Sequence, residues 1–264
     1  MDSELRKRFN PDGSLLRRQQ LRMLELLEVI DVICRKHQIP YWLSSGTLIG
    51  AARHKGFIPW DDDLDIEMLR SDYLRLLKVL PQELPDNLAL QTNETDPNYI
   101  FIYGKLRDKD SHLEETNSYD RIFHYTGIYI DIFPLEKIPY CLAWIGGHMQ
   151  GQIYNQLNNK NIKESTLYKR IRRIYHFNTR IGFPILRFIA KLFPGKELRH
   201  SFGTAYFKPR YTDDIFPLTE MEFEGMFPVP RQTDAVLRKI YGDYMQLPDL
   251  ENIHPHYNKL EFYK

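Results

Sequence analysis

Hydrophobic and polar positions along the chain change period several times, and each change marks an element. From Ser14 to Lys36, Met23, Leu26, Leu27, Ile30, Ile33 and Cys34 recur at three-and-four spacing, with Arg17, Arg18, Arg22, Glu25 and Lys36 on other faces. That pattern predicts an amphipathic helix, with Ser14 as its cap and Pro40 closing the segment. A short strand at Tyr41–Leu43 and a short helix over Thr47–Arg53 follow. From Asp61 to Met68 the period becomes two: Asp61, Asp63 and Asp65 alternate with Asp62, Leu64 and Ile66, which predicts a strand with three carboxylates on one face. Ser71 is placed to cap a helix to about Val79, before the Pro81 and Pro85 turn, and Leu88–Gln91, Tyr99–Leu106 and Gly127–Phe133 read as further strands. From Cys141 to about Phe207 the pattern is helical without strand signals, and a last helix falls near Thr233–Tyr241. Strands interleaved with helices predict an α/β (α+β) layer, not a bundle. The expected organisation is a core over residues 14–140, a basic helical subdomain over 141–210 and a segment over 211–264 that packs back on the core.

Composition narrows the class. The chain has 264 residues, 42% hydrophobic and 27% charged, as in an ordinary soluble globular protein large enough to bury a full core. A net charge of +1 argues against a nucleic-acid partner held by a bulk field. Cys34 and Cys141 lack metal-ligand spacing, and Cys34 on the apolar helix face predicts a reduced, buried thiol. The opening MDSELRKRFNPDGS has no apolar core after its charges, and no window of about 18 residues is apolar throughout. Neither a leader nor a membrane span is therefore expected, and the expected compartment is the cytoplasm. Charge is nevertheless uneven, since residues 160–200 hold eleven Lys/Arg against Glu164 and Glu197, a local +9 that leaves −8 for the rest. Within Arg180–Phe193, Arg180, Arg187 and Lys191 share a narrow face and large apolar residues fill the remainder. This fits either a buried helix with a solvated stripe or peripheral contact with an anionic membrane.

The chemistry concentrates in Gly46–Asp65, GTLIGAARHKGFIPWDDDLD. Like charges on one face repel unless a cation sits among them, and oxygen-only ligands suit a hard ion, Mg2+ or alternatively Mn2+. Asp131, alone in the apolar GIYIDIFP, must meet a cation, a strong donor or solvent; beside Asp63 and Asp65 it would complete a metal site. Gly46–Thr47, a glycine and a hydroxyl opening a helix, suits phosphate. Arg53 and Lys55, close to the acids in sequence, and Lys105 and Arg107 on a following strand are candidates to neutralise a diphosphate. Lys105 leads, because Tyr99–Leu106 is otherwise apolar. Trp60 reads as a core residue or as one wall of a site for a quaternary ammonium.

These residues resemble the nucleotidyltransferase superfamily typified by DNA polymerase beta: a Gly-Ser or Gly-Thr turn, a paired Asp-x-Asp, then a third acid on a neighbouring strand. More closely, GTLIGAARHKGFIPWDDDLDI, GKLRD, GIYIDIFPLE and the later MEFEG and LRKIYGDYMQLP resemble the LicD family, whose eukaryotic relatives are fukutin and fukutin-related protein. The resemblance spans roughly residues 15–256. It implies a nucleotidyltransferase-like mixed sheet flanked by helices. It also implies metal-dependent transfer of a phosphorylated alcohol, phosphocholine from CDP-choline above all, to a sugar hydroxyl of a glycan or lipid-linked glycan. Carried over by position, Asp63 and Asp65 match the metal-binding pair, Asp61 the acid before it and Asp131 the third acid, catalytic base or shared ligand. The main competitor is an Asp-x-Asp glycosyltransferase using a nucleotide sugar, which the Gly46–Thr47 turn and Asp131 disfavour.

Overall fold

The computed structural model describes residues 2–117, 119–158 and 164–263. In chain order its elements are α1 (Asp2–Phe9), α2 (Leu15–Lys36), β1 (Trp42–Leu43), α3 (Ser45–His54), β2 (Asp65–Leu69), α4 (Arg70–Glu83), β3 (Leu88–Gln91), β4 (Gly104–Asp108), β5 (Ser111–Glu115), β6 (Tyr129–Lys137), α5 (Tyr140–Leu157), α6 (Glu164–Phe177), α7 (Phe183–Ala190), β7 (Glu197–His200), β8 (Arg210–Tyr211), α8 (Thr212–Ile215), β9 (Thr219–Glu222), β10 (Met226–Val229), α9 (Thr233–Tyr241) and β11 (Tyr257–Phe262).

The expected mixed α/β architecture is present. A sheet ordered β1-β2-β6-β4-β3 continues through β7, on the far half of β6, to β8. Only β2 and β6 run parallel; the other pairs are antiparallel. On one face Ile66, Met68, Leu106, Ile130 and Ile132 pack under α2 (Met23, Leu26, Leu27, Ile30) and α4 (Leu76, Leu80) in one apolar core. Ser14 caps α2 as its position predicts, its side chain accepting from the Arg17 amide. Cys34 is buried on that helix, and burial pushes its thiol up to about 12, so it stays protonated and inert. The helices α5, α6 and α7 pack through two smaller apolar clusters.

Several elements differ from their expected extents. The acidic strand begins at Asp65, not Asp61. Residues 61–63 meet no neighbouring strand, because β1 spans two residues and contact with β6 starts only where the Leu64 carbonyl accepts from the Asp131 amide at 2.9 Å. The buried glutamines of α2 hold this run instead, Gln20 Nε2 donating to the Asp61 carbonyl at 2.9 Å and Gln19 Nε2 to the Asp62 carbonyl at 2.7 Å. The alternation survives without the strand: Asp61, Asp63 and Asp65 stay half-buried while Asp62, Leu64 and Ile66 are buried. The strand placed at Tyr99–Leu106 is Gly104–Asp108, since Tyr99 and Ile100 are drawn into the cluster under α5. That placed at Gly127–Phe133 is Tyr129–Lys137 and runs through Pro134, between the last rung to β4 at Ile132 and the first to β7 at Leu135. The helical stretch does contain a strand: β7 joins the core sheet, its buried Arg199 and His200 masking it from an apolar search. α4 runs to Glu83 through Pro81, and Leu69, not Ser71, occupies its N-cap.

Candidate active site

The turn Ser44–Thr47 is stitched to the start of β2. Ser44 donates its amide to the Asp65 carbonyl at 3.0 Å, and the Thr47 hydroxyl accepts from the Asp65 amide at 2.9 Å. Ser45 carries a left-handed backbone (φ 50°), a conformation that non-glycine residues hold only where the surroundings enforce it. Gly46 lets the Asp61 carboxylate approach the turn: a Cβ there would lie 2.6 Å from Asp61 Oδ2. The sequence therefore folds so that the N-terminal end of α3 faces the acidic run.

The neighbouring strands bring the remaining groups alongside. Asp131 on β6 is the register partner of Asp65 on β2 and of Lys105 on β4, so the three stand in a row across the sheet, about 4.8 Å apart from strand to strand. Lys105 is buried, its Nζ 3.1 Å from Asp131 Oδ1, 3.6 Å from Glu115 Oε1 and 3.2 Å from the centre of the Tyr129 ring. A cavity of about 540 Å³ opens beside this row, lined by Asp63, Asp131, Lys105 and Glu115 together with Phe101, Tyr103, Tyr119 and Tyr154.

Electrostatically the site is overloaded with negative charge. Burial, then Asp63, Asp62 and Asp65, push Asp61 well above the usual carboxylate range. Burial and Asp62 raise Asp63; burial, Asp63 and Asp131 raise Asp65. A hydrogen bond between the Asp61 and Asp63 side chains adds to the rise of the first and opposes that of the second. Burial also lifts Asp131, but Lys105 opposes it and the carboxyl settles at about 6. At Glu115 burial is outweighed by Lys105 and Arg107, so the net shift is downward.

A hard divalent cation fits the donor set by charge and by chemistry, since it would relieve the repulsion that raises these carboxyls. As the side chains stand, no group of three or more His, Cys, Asp or Glu among the described residues is arranged to hold a metal ion. A shell would require the carboxylates to converge further.

Of the residues expected at the site, Gly46, Thr47, Asp61, Asp63, Asp65, Asp131 and Lys105 come together. Four others do not. Arg53 and Lys55 sit at the C-terminal end of α3, which rises about 12 Å from Gly46 to His54. Arg53 donates to the Tyr244 carbonyl at 2.7 Å, and Lys55 closes α3 in a left-handed conformation while pairing with Glu222 at 3.1 Å. Trp60 packs edge-on to Phe9 and His54, the core-type reading, while rings near Lys105 form the aromatic wall. Arg107 is wholly buried behind the site, donating to Gln91 Oε1 and the Gly127 carbonyl, both at 2.7 Å. Residues without a sequence signal also enter. The His256 amide and ring Nδ1 each lie 2.6 Å from the Asp62 carboxylate, so the segment before β11 closes over the acidic run.

The sequence matches the family LicD/FKTN/FKRP, nucleotidyltransferase domain, over residues 38–168. The lipopolysaccharide cholinephosphotransferase LicD of Haemophilus influenzae is 31% identical over 92% of this chain and 96% of its own length. The chain belongs to the LicD family. An uncharacterized protein of Rickettsia prowazekii is 43% identical over 46% of this chain and 47% of its own. Human ribitol 5-phosphate transferase FKRP is 50% identical over 34 residues, 13% of this chain and 7% of its own. As a LicD-family member the protein is a phosphotransferase. In this LicD-family chain the turn, the acidic run, Asp131 and Lys105 all lie within the matched residues, whereas His256 lies outside them.

Proposed function

We propose that the protein transfers phosphocholine from CDP-choline to a sugar hydroxyl of a cell-surface glycan, lipopolysaccharide being the acceptor class that its Haemophilus relative's name supports. The observation that carries this reading is one cavity lined by Asp63 and Asp131, with Asp61 and Asp65 coupled to them from beside it, together with a group of aromatic rings. The carboxylates suit a diphosphate-bound divalent ion, Mg2+ or Mn2+, and the rings of Phe101, Tyr103, Tyr119 and Tyr154 suit the trimethylammonium end of choline by cation–π attraction. When bound, the ion would neutralise the diphosphate and favour departure of CMP.

The chain's own residues supply the rest. The Gly46–Thr47 turn presents amides to a phosphate oxygen. Lys105 stabilises negative charge that builds as the bond from phosphorus to the CMP oxygen breaks and the bond to the sugar oxygen forms. Asp131, raised to about 6, is ionised at neutral pH and takes the proton lost by the sugar hydroxyl, unless it serves as a ligand.

The test is a donor panel of CDP-choline, CDP-ethanolamine, CDP-ribitol and a UDP-sugar with a lipopolysaccharide acceptor, read as acceptor mass shift. A phosphocholine increment is expected. A hexose increment would replace this reading by the glycosyltransferase one, and a ribitol phosphate increment would change the head group alone.

A further inference from the structure

The helices marked by basic and apolar residues bury only one side of themselves. α6, a π-helical turn over Asn178–Gly182 and α7 follow one another without a break. Leu167, Ile171, Phe183, Leu186 and Ala190 pack inward against α5 and its neighbours. A second stripe does not. Phe177, Ile181, Ile185, Phe188 and Leu192 recur at spacings that keep them on one side of a helix, and they are 55, 50, 54, 68 and 74% exposed. Isolated exposed apolar residues are ordinary on protein surfaces; a contiguous row marks an interaction surface.

The charges beside this row decide which partner fits. Lys169, Arg172, Arg173 and Arg180 share a shallow groove with Phe177 and Ile181. Among the described residues none of these four has a carboxylate partner, unlike Arg187, whose Nε lies 2.8 Å from Glu136 Oε2. Arg187 therefore drops out of the basic stripe that the sequence pattern predicts, and Lys160 and Lys163 lie outside the described residues. A second copy seated on this face through a two-fold axis would bring the unpaired cations together. An anionic lipid surface would meet them with opposite charge while accepting the apolar row. No helix among the described residues is long and apolar enough to cross a membrane, so the fit is to a surface.

We propose that the exposed stripe of α6 and α7 docks the protein flat on an anionic lipid bilayer. Phe177, Ile181, Ile185, Phe188 and Leu192 enter the boundary between headgroups and acyl chains, and Lys169, Arg172, Arg173 and Arg180 lie at the headgroups. The inference concerns location and stands independently of the donor.

Co-sedimentation of the full chain with vesicles tests it, using phosphatidylcholine alone or mixed with phosphatidylglycerol, at low and high salt. Wild type should pellet with the mixed vesicles at low salt and be released by high salt. Arg172→Ala with Arg173→Ala should weaken partitioning roughly thirtyfold, from about 1 kcal/mol per basic residue. Ile185→Ser with Phe188→Ser should abolish pelleting with an unchanged melting temperature, because both side chains already face solvent. The proposal is overturned if wild type stays in the supernatant at low salt, or if either double variant pellets like wild type. It is equally overturned if sedimentation equilibrium shows that the serine pair abolishes a dimer and leaves vesicle binding intact.

Discussion

Asp65 and Glu67 stand two residues apart on the same face of β2, in opposite electrostatic settings. Glu67 is fully enclosed and fully answered: Arg210 Nη2 lies 2.5 Å and His200 Nε2 2.8 Å from its Oε1, and Trp42 Nε1 donates to Oε2 at 3.2 Å. Burial pushes its carboxyl up, but Arg210 and His200 outweigh it and hold it well below the usual range. Asp65 faces Asp63 and Asp131 with Lys105 as the nearby cation, and its carboxyl is driven well above the usual range. An acid whose charge is compensated by its own chain holds the fold together. A cluster of acids left uncompensated is kept for something that arrives from outside.

Neutralising each kind of acid should sharpen that difference. Asp131→Asn should lower transfer by about a thousandfold, the scale expected for loss of a general base, with only a modest fall in melting temperature because buried Lys105 keeps Glu115 at 3.6 Å. If Mg2+ affinity falls along with turnover, Asp131 is a ligand; if affinity is kept, it is the base. Glu67→Gln should behave in the opposite sense, because it leaves Arg210 buried without its partner. Denaturant titration should show a loss of about 3–5 kcal/mol, with the remaining folded protein still active. Equal stability of Glu67→Gln and wild type would show that Glu67 does not hold the fold together.

Gly46→Ala should give a smaller, local effect. The added methyl meets the end of the Asp61 side chain and not backbone, so it should displace that carboxylate and cost roughly tenfold in transfer, one interaction's worth, with little change in melting. The smallest effect concerns Asp62 and His256. Hydrogen bonding to Asp62 raises His256 to about 9 from an ordinary 6.5. Because the folded-state value is the higher one, this stabilisation is fully present below about 6.5 and lost as pH rises through about 9. The imidazole is 71% exposed, so solvent screens the pair. His256→Asn should flatten the fall in melting temperature between those pH values and change little else.

How much was legible in the sequence follows the same division. The apolar periodicity of α2 located its ends to within a residue, and Leu88–Gln91 is β3 as expected, because burial alone decides such elements. The acids and Lys105 were legible because a charge inside an apolar run has to be explained. The ribbon of β5 and β11 was not, since Ser111–Glu115 and Tyr257–Phe262 are mostly polar and Leu113 and Leu260 are their buried apolar side chains. Arg53 and Lys55 misled because closeness in sequence says nothing of direction, and α3 carries them away from the acids. His256 reaches Asp62 across 194 positions, and no local pattern records such a contact.

The most direct test of the central claim, that Asp63 and its neighbours form a cation-dependent transfer site, is CMP release from CDP-choline with acceptor present. Wild type and Asp63→Asn would be compared in Mg2+ and in EDTA, with melting temperatures recorded in parallel. Turnover is expected only for wild type with Mg2+, and metal-free Asp63→Asn protein should melt at or above metal-free wild type, since repulsion among the carboxylates is relieved. Full activity of wild type in EDTA, or of Asp63→Asn in Mg2+, would contradict it.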